Sequence, residues 1–260
     1  GEKLSNQQGV GLDFKDYRQY QMGDDYRYID WNLYSRLEQL FLKEYTAERG
    51  VNIHFLIDKS NSMIYKKAEK FNMAKKLGAA LGYIALARFD QVEAIFFSDN
   101  LSKSTGKLRG KNKLKYFFNM LENADAGGET DIKEVVSYFI RREKKAGLAI
   151  ILSDFLDDSG YFSALKLLKS RGWRVILLDI RDENDNFNQK GHYVLRDCET
   201  AQKRDMVIDE ETIDNYIQQK NNYFDKLKKL SDNYHFNYYK VDLNKSLEKI
   251  LLDILAKKIY

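Results

Sequence analysis

The chain has 260 residues, 43% hydrophobic and 32% charged, and contains no proline. That balance describes a globular chain able to bury a core, and the missing prolines exclude proline-rich linkers, polyproline recognition segments and mucin-like stalks. With 43 basic against 39 acidic residues the net charge is +4, too even to imply a nucleic-acid partner.

The single Cys198 excludes an internal disulfide and any multi-cysteine metal site, in keeping with a reducing, cytoplasmic setting. No run approaches ~18 uninterrupted apolar residues, so no membrane span is expected. GEKLSNQQG is not a signal peptide. Its abrupt start reads as part of something longer, which leaves room for membrane association through partners or further segments.

Residues 1–50 interleave aromatics and charges without sustained periodicity, with nine acids to seven bases, and read as an N-terminal extension. Residues 51–260 read as one domain of alternating strands and helices. VNIHFLI (51–57) is a short apolar strand ended by Asp58. A helix over roughly 66–88 follows, with Phe71, Ala74, Leu77, Leu81 and Ile84 on one stripe. QVEAIFFS (91–98) is the second strand, LSKSTGKL a short edge strand, and 111–123 a helix.

The AGGET loop leads into a helix over 131–145. LAIILS (148–153), the most apolar strand, belongs at the centre of a parallel sheet. A helix over 160–171 and a strand over 173–180 continue the pattern, which lapses between 184 and 209 into polar strand-like pieces. It resumes with helix 211–233, strand 236–243 and helix 246–259. This alternation predicts an α/β fold: a doubly wound, mostly parallel sheet with helices on both faces, Rossmann-like, behind the N-terminal extension.

In doubly wound sheets, ligands bind beyond the carboxyl ends of the strands. Asp58, Ser60 and Ser62 follow the first strand, Thr130 lies in the loop after helix 111–123, and Asp154 ends strand 148–153. Two carboxylates and three hydroxyls form an all-oxygen set that suits a hard divalent cation, Mg²⁺ above all, with Mn²⁺ or Ca²⁺ as substitutes. Neutral hydroxyl ligands leave the ion strongly positive, ready to take a carboxylate from a protein partner. Taken singly, Ser60, Ser62 and Thr130 read equally well as helix caps, and Asp131 with Glu134 makes a capping-box-like pair. Five positions on three strand ends favour the metal.

Asp58-x-Ser60-x-Ser62, distant Thr130 and then Asp154 resemble the metal-ion-dependent adhesion site of von Willebrand factor A domains over about residues 51–260. A second resemblance covers Arg18–Trp31, then Ser35-Arg36, with Leu152–Phe155 and Asp197–Thr200. These stretches are similar to the signature blocks of the bacterial domain-of-unknown-function family fifty-eight. Met22 stands where that family usually has proline, and Ala201 where it usually has glycine. The resemblance implies a MoxR-type AAA+ ATPase as partner, and the chain reads as a non-enzymatic interaction module, monomeric, that works with it on an unknown client.

Asp24, Asp25, Arg27, Asp30, Trp31 and Arg36 read either as an internal ion-pair and aromatic lock or as a partner contact. A Mg²⁺-dependent phosphohydrolase is the competing enzyme reading. Against it, such enzymes of the haloacid-dehalogenase type carry an aspartate two residues after the nucleophilic one, where this chain has Ser60. Lys103, Lys107, Arg109, Lys111, Lys113 and Lys115 form a basic stretch facing only Glu122 nearby. It reads as a solvated face, with nucleic-acid binding through 103–115 as the functional alternative. Cys198 reads as an ordinary, partly buried cysteine. His54, His192 and His235 lack metal-ligand spacing, and His54 reads as a packed core residue.

Overall fold

The protein is described by a computed structural model covering residues 12–47, 50–99, 101–156, 160–182, 190–197 and 202–256. It divides into two compact units, Gly1–Gly50 and Val51–Tyr260.

In the first unit, β1 (Leu12–Gln19) and β2 (Phe41–Ala47) pair antiparallel, and helix α1 (Trp31–Leu37) lies between them in sequence. The sequence shows no strand alternation here because the register shifts between Phe14 and Asp16. A bulge of that kind reverses which residues share a face and erases the period of two. Asp30 starts α1 by accepting hydrogen bonds from the Asn32 and Leu33 amides at 3.0 and 3.2 Å.

The second unit is built on one sheet. Its strands are β3 (Asn52–Asp58), β4 (Gln91–Phe97), β5 (Leu101–Ser104), β6 (Leu108–Arg109), β7 (Leu148–Ser153), β8 (Arg174–Arg181) and β11 (Asn237–Asp242). They run in the order β11-β8-β7-β3-β4-β5, with β6 also on β4. The β11–β8, β8–β7, β7–β3 and β3–β4 pairs are parallel; β5 and β6 pair antiparallel with β4. The expected α/β class and mostly parallel sheet are therefore present, and β7, buried at all six positions, lies inside the sheet. Where one edge strand was expected, LSKSTGKL makes two, because Gly106 turns the chain at φ 67° between them.

Strand periodicity splits the core. Ile53, Phe55 and Ile57 face α2 (Asn61–Ala87), α3 (Leu114–Glu122) and α7 (Leu247–Ala256). Leu56, Ile95 and Ile151 face α4 (Ile132–Arg142), α5 (Tyr161–Ser170) and α6 (Glu210–Asn233). Helix α2 begins at Asn61, ahead of the expected start near 66, because its first turn carries the polar loop residues that precede the apolar stripe. The polar pieces between 184 and 209 contain an antiparallel pair, β9 (Gly191–Arg196) and β10 (Lys203–Ile208), separate from the large sheet. Among the described residues, no helix is long and apolar enough to cross a membrane.

The start of β7 passes close to β3. A Cβ on Gly147 would lie 2.3 Å from the Asn52 carbonyl oxygen, a backbone atom that cannot rotate aside. Gly147→Ala is expected to lower stability by about 3 kcal/mol, the upper end of overpacking costs. Urea unfolding measures it, and a loss below ~0.5 kcal/mol would mean the two strands separate freely.

Candidate metal centre

Asp58 ends β3 and is almost fully buried. Its Oδ1 accepts the Ser60 amide at 2.9 Å, and its Oδ2 accepts the Ser153 hydroxyl at 2.5 Å. Because Ser153 spends its single proton on Asp58, its oxygen accepts from the Tyr161 hydroxyl at 2.7 Å and the Phe155 amide at 2.9 Å. These contacts fix the Asp58 carboxylate in one orientation from beneath. Burial, and secondly the charge of Asp154, push its pKa up to about 7 against the opposing pull of those hydrogen bonds.

Ser60 occupies the N-cap position of α2, yet its hydroxyl makes no capping bond. It sits 3.0 Å from the Ser62 hydroxyl, and both serines are buried. Two oxygens on adjacent vertices of an octahedron of ~2.1 Å radius lie about 3.0 Å apart. The capping reading of Ser60 is thus not what its side chain does, and the hydroxyl pair fits a hard cation. Asp131, by contrast, does cap α4, accepting the Glu134 amide at 2.9 Å.

Thr130 is half-buried in the loop before α4. That loop is tied to the others through Gly127 N–H to the Lys59 carbonyl (2.6 Å), Asn61 N–H to the Gly128 carbonyl (2.9 Å) and Asp131 N–H to the Ser98 carbonyl (3.1 Å). Asp154, just beyond β7, is 1% exposed; its Oδ1 accepts the Leu156 amide at 3.3 Å. The five sequence-predicted residues therefore lie at the end of β3 and the start of α2 (Asp58, Ser60, Ser62), in the loop before α4 (Thr130) and just past β7 (Asp154), and their side chains offer only oxygen.

Sequence reasoning missed three features of this site. The Lys70 ammonium, also buried, donates to Asp154 Oδ2 at 2.8 Å across 84 positions of sequence. Ser153 and Tyr161 brace Asp58, and only the adjacency of Ser153 to Asp154 offered any signal. Asp179, fully buried on β8 in register with Ser153, is held by Arg181 at 2.6 Å and by the Tyr238 hydroxyl. Burial raises the Asp179 pKa, opposed by Arg181.

A second polar cluster lies at the other end of β3. His54 is buried and packs edge-on against Phe139 and Trp173, but it is also flanked by carboxylates, which the core reading did not foresee. Its Nδ1 lies 3.2 Å from Glu93 Oε2, off the line a hydrogen bond needs, and its Nε2 lies 3.9 Å from Glu143 Oε2. Among the described residues this is the one His/Glu group whose donor atoms converge, all within 4.8 Å. Each imidazole nitrogen faces a different glutamate, however. Arg142 holds Glu93 at 2.7 Å and Glu143 at 3.0 Å, and Lys107 holds Glu143 at 2.7 Å. Two cations already balance two carboxylates there, so the cluster is a compensated ion network.

The basic stretch is less free than its sequence implied. Lys107 is taken by Glu143, and Lys103 pairs with Asp125 at 3.0 Å, acids beyond the one neighbour counted, Glu122. In the first unit, Asp24 holds Arg18 through two 2.9 Å bonds, Asp25 pairs with Arg27 at 2.6 Å, and Asp30 also accepts the Tyr17 hydroxyl. The ion pairs are local. Trp31 is 59% exposed, its ring against Tyr34 with no arginine stem over it among the described residues, and Arg36 is exposed. The block around Cys198, Glu199, Thr200 and Ala201 lies outside the described residues, as do Asp157, Asp158 and Ser159.

An uncharacterized protein of Mycobacterium tuberculosis is 26% identical over 216 residues, covering 80% of this chain and 68% of its own. Among solved structures, an aerotolerance-related membrane protein from Bacteroides fragilis aligns with a TM-score of 0.43 and 16% identity over 80% of this chain and all of that one. Proximal thread matrix protein 1 from the mussel byssus, in a form with a zinc-occupied MIDAS motif, aligns with a TM-score of 0.40 and 19% identity, over 50% of this chain and 37% of its own. The family described as protein of unknown function DUF58 matches residues 16–223, well over half the chain, a span that includes Arg18–Trp31 and the positions of Asp58, Ser60, Ser62, Thr130 and Asp154, and the protein belongs to that family.

Proposed function

We propose that this protein is a non-enzymatic interaction module whose von Willebrand factor A-like domain holds a divalent cation, Mg²⁺ by preference, through Ser60, Ser62 and Thr130, with Asp58 and Asp154 supplying negative charge directly or through bound water. The observation that carries this reading is the Ser60–Ser62 hydroxyl pair, 3.0 Å apart, buried and released from capping, beside two buried carboxylates. A cation there would supply Lewis acidity toward a carboxylate offered by a client protein. The mussel protein's zinc-occupied motif is a precedent for a metal in a similar fold.

The partner in this proposal is a MoxR-type AAA+ ATPase, a reading that rests on the family resemblance. The ATPase would remodel a client that this module grips. Calorimetric titration of Mg²⁺ and Mn²⁺ into wild type and Asp58→Ala tests the site, and equal affinity in both refutes it. Co-purification of the ATPase should be lost with Asp154→Ala and with chelator. Retention under both conditions would move the contact elsewhere, with the exposed Trp31 and Arg36 surface as the next place to mutate.

A further inference from the structure

Lys70 is the anomaly of the cation site. Its side chain is 6% exposed and its ammonium lies 2.8 Å from Asp154 Oδ2, whose own side chain is 2% exposed. Lysines rarely give up their hydration, and buried ion pairs persist where removing either member would leave an uncompensated charge. Here the charge is double: Asp58 and Asp154 feel one another's field at the same edge of the sheet.

The backbone bears on how Lys70 reaches that edge. It is the tenth residue of α2, whose first turn carries Ser62. Helical side chains tilt toward the N-terminus, so a long lysine stem runs back along the helix toward the strand ends. Two residues earlier Ala68 adopts φ 59°, a left-handed conformation inside an otherwise right-handed helix. Such a residue persists only where its surroundings hold it, and such strain clusters at functional sites.

We propose that Lys70 is the internal counter-ion of the cation site: its ammonium neutralises Asp154 when no metal is bound and opposes the divalent ion electrostatically, so that metal binding proceeds as an exchange of one cation for another. This rests on the metal reading above. It makes the site weaker for metal than its two carboxylates alone would be, and keeps the metal-free fold intact. Lys70 acts here as a positioning and affinity-setting residue that contacts Asp154, with no place in the ligand set.

The experiment titrates Mn²⁺ and Mg²⁺ by calorimetry into wild type, Lys70→Met, Lys70→Arg and Asp58→Ala, with thermal unfolding of each in chelator and in excess Mn²⁺. Lys70→Met should bind Mn²⁺ about tenfold or more tightly than wild type, since a nearby positive charge has gone, while Lys70→Arg stays within a few-fold. In chelator Lys70→Met should melt below wild type, and Mn²⁺ should raise its midpoint by more than it raises that of wild type. If Lys70→Met does not fold without metal, Lys70→Gln, which keeps a donor for Asp154, carries the same comparison. Asp58-dependent binding in wild type with unchanged or weaker affinity in folded Lys70→Met, or in Lys70→Gln where it replaces it, overturns the counter-ion role and leaves the metal site standing. Equal binding, or none, in wild type and Asp58→Ala overturns the site itself and this proposal with it.

Discussion

Asp58→Ala is expected to weaken divalent-cation binding at least a hundredfold, and acidification should reproduce much of that loss in the wild-type protein. Burial and the Asp154 charge put the Asp58 pKa at about 7. A cation takes the carboxylate only in its charged form, so binding expels a proton and apparent affinity falls about tenfold for each pH unit below 7. Between pH 8 and pH 5 the drop should approach a hundredfold. A carboxylate with an ordinary value near ~3.9 would give a nearly flat profile over the same window. Calorimetry at several pH values, in buffers of different ionisation enthalpy, reads both the affinity and the released proton. A flat affinity with no proton release refutes the prediction.

The same shift has a consequence for metal-free stability, and its sign is opposite to that of most carboxylates. A folded-state pKa raised above the unfolded value means the native state binds the proton more tightly. The stability contributed by Asp58 is therefore complete below the unfolded value of 3.8 and is lost as pH rises toward about 7. In chelator this amounts to a few kcal/mol on the order-of-magnitude scale of ~1.4 kcal/mol per pH unit. Excess Mn²⁺ should cancel the loss at neutral pH, because it stabilises the charged form that the bare fold disfavours.

Glu93→Ala carries the largest structural effect, an expected loss of about 3–5 kcal/mol. Glu93 is buried, accepts the Ser104 hydroxyl and holds Arg142 at 2.7 Å. Burial acts to raise its pKa, but the nearby His54 imidazole, Ser104 and Arg142 outweigh burial and hold it below the usual range. Truncation leaves the buried His54, the Ser104 hydroxyl and Arg142 without their carboxylate and opens a void beside His54. Glu93→Gln, which preserves shape and one acceptor, should cost clearly less. Since the Glu93 pKa is lowered, its stability is present above the unfolded carboxylate range and is lost as pH falls, the reverse of Asp58. Urea unfolding at pH 7 and pH 4 measures both substitutions, and a Glu93→Ala cost below ~1 kcal/mol would show that the network does not hold this end of the sheet.

The contrast between these two ends of β3 marks where local sequence stops being informative. Strand–helix alternation was legible because it is written in neighbouring residues: periods of two and 3.6 place Phe55 and Leu56 on opposite faces of the sheet and Phe71 with Ala74 and Leu77 on one stripe. The shared location of Asp58, Ser60 and Asp154 was legible because parallel strands end at one edge, so residues at or just past each strand end gather there. Thr130, by contrast, sits in a helix–helix loop that the tertiary structure ties to the same edge through Gly127, Gly128 and Asp131. Where periodicity was broken by a bulge, as between Phe14 and Asp16, or by a glycine turn, as at Gly106, elements went unread or were merged.

What the chain determined by itself is thus the α/β class and the end of the sheet at which Asp58, Ser60 and Asp154 lie. Only the tertiary structure decided which charges face those residues. Lys70 meets Asp154 across 84 positions, His54 stands between Glu93 and Glu143, and Ser60 turns from its cap toward Ser62. Such pairings leave no periodic trace, because an ion pair or a freed hydroxyl depends on the spacing between packed elements, and that spacing is set by the whole core.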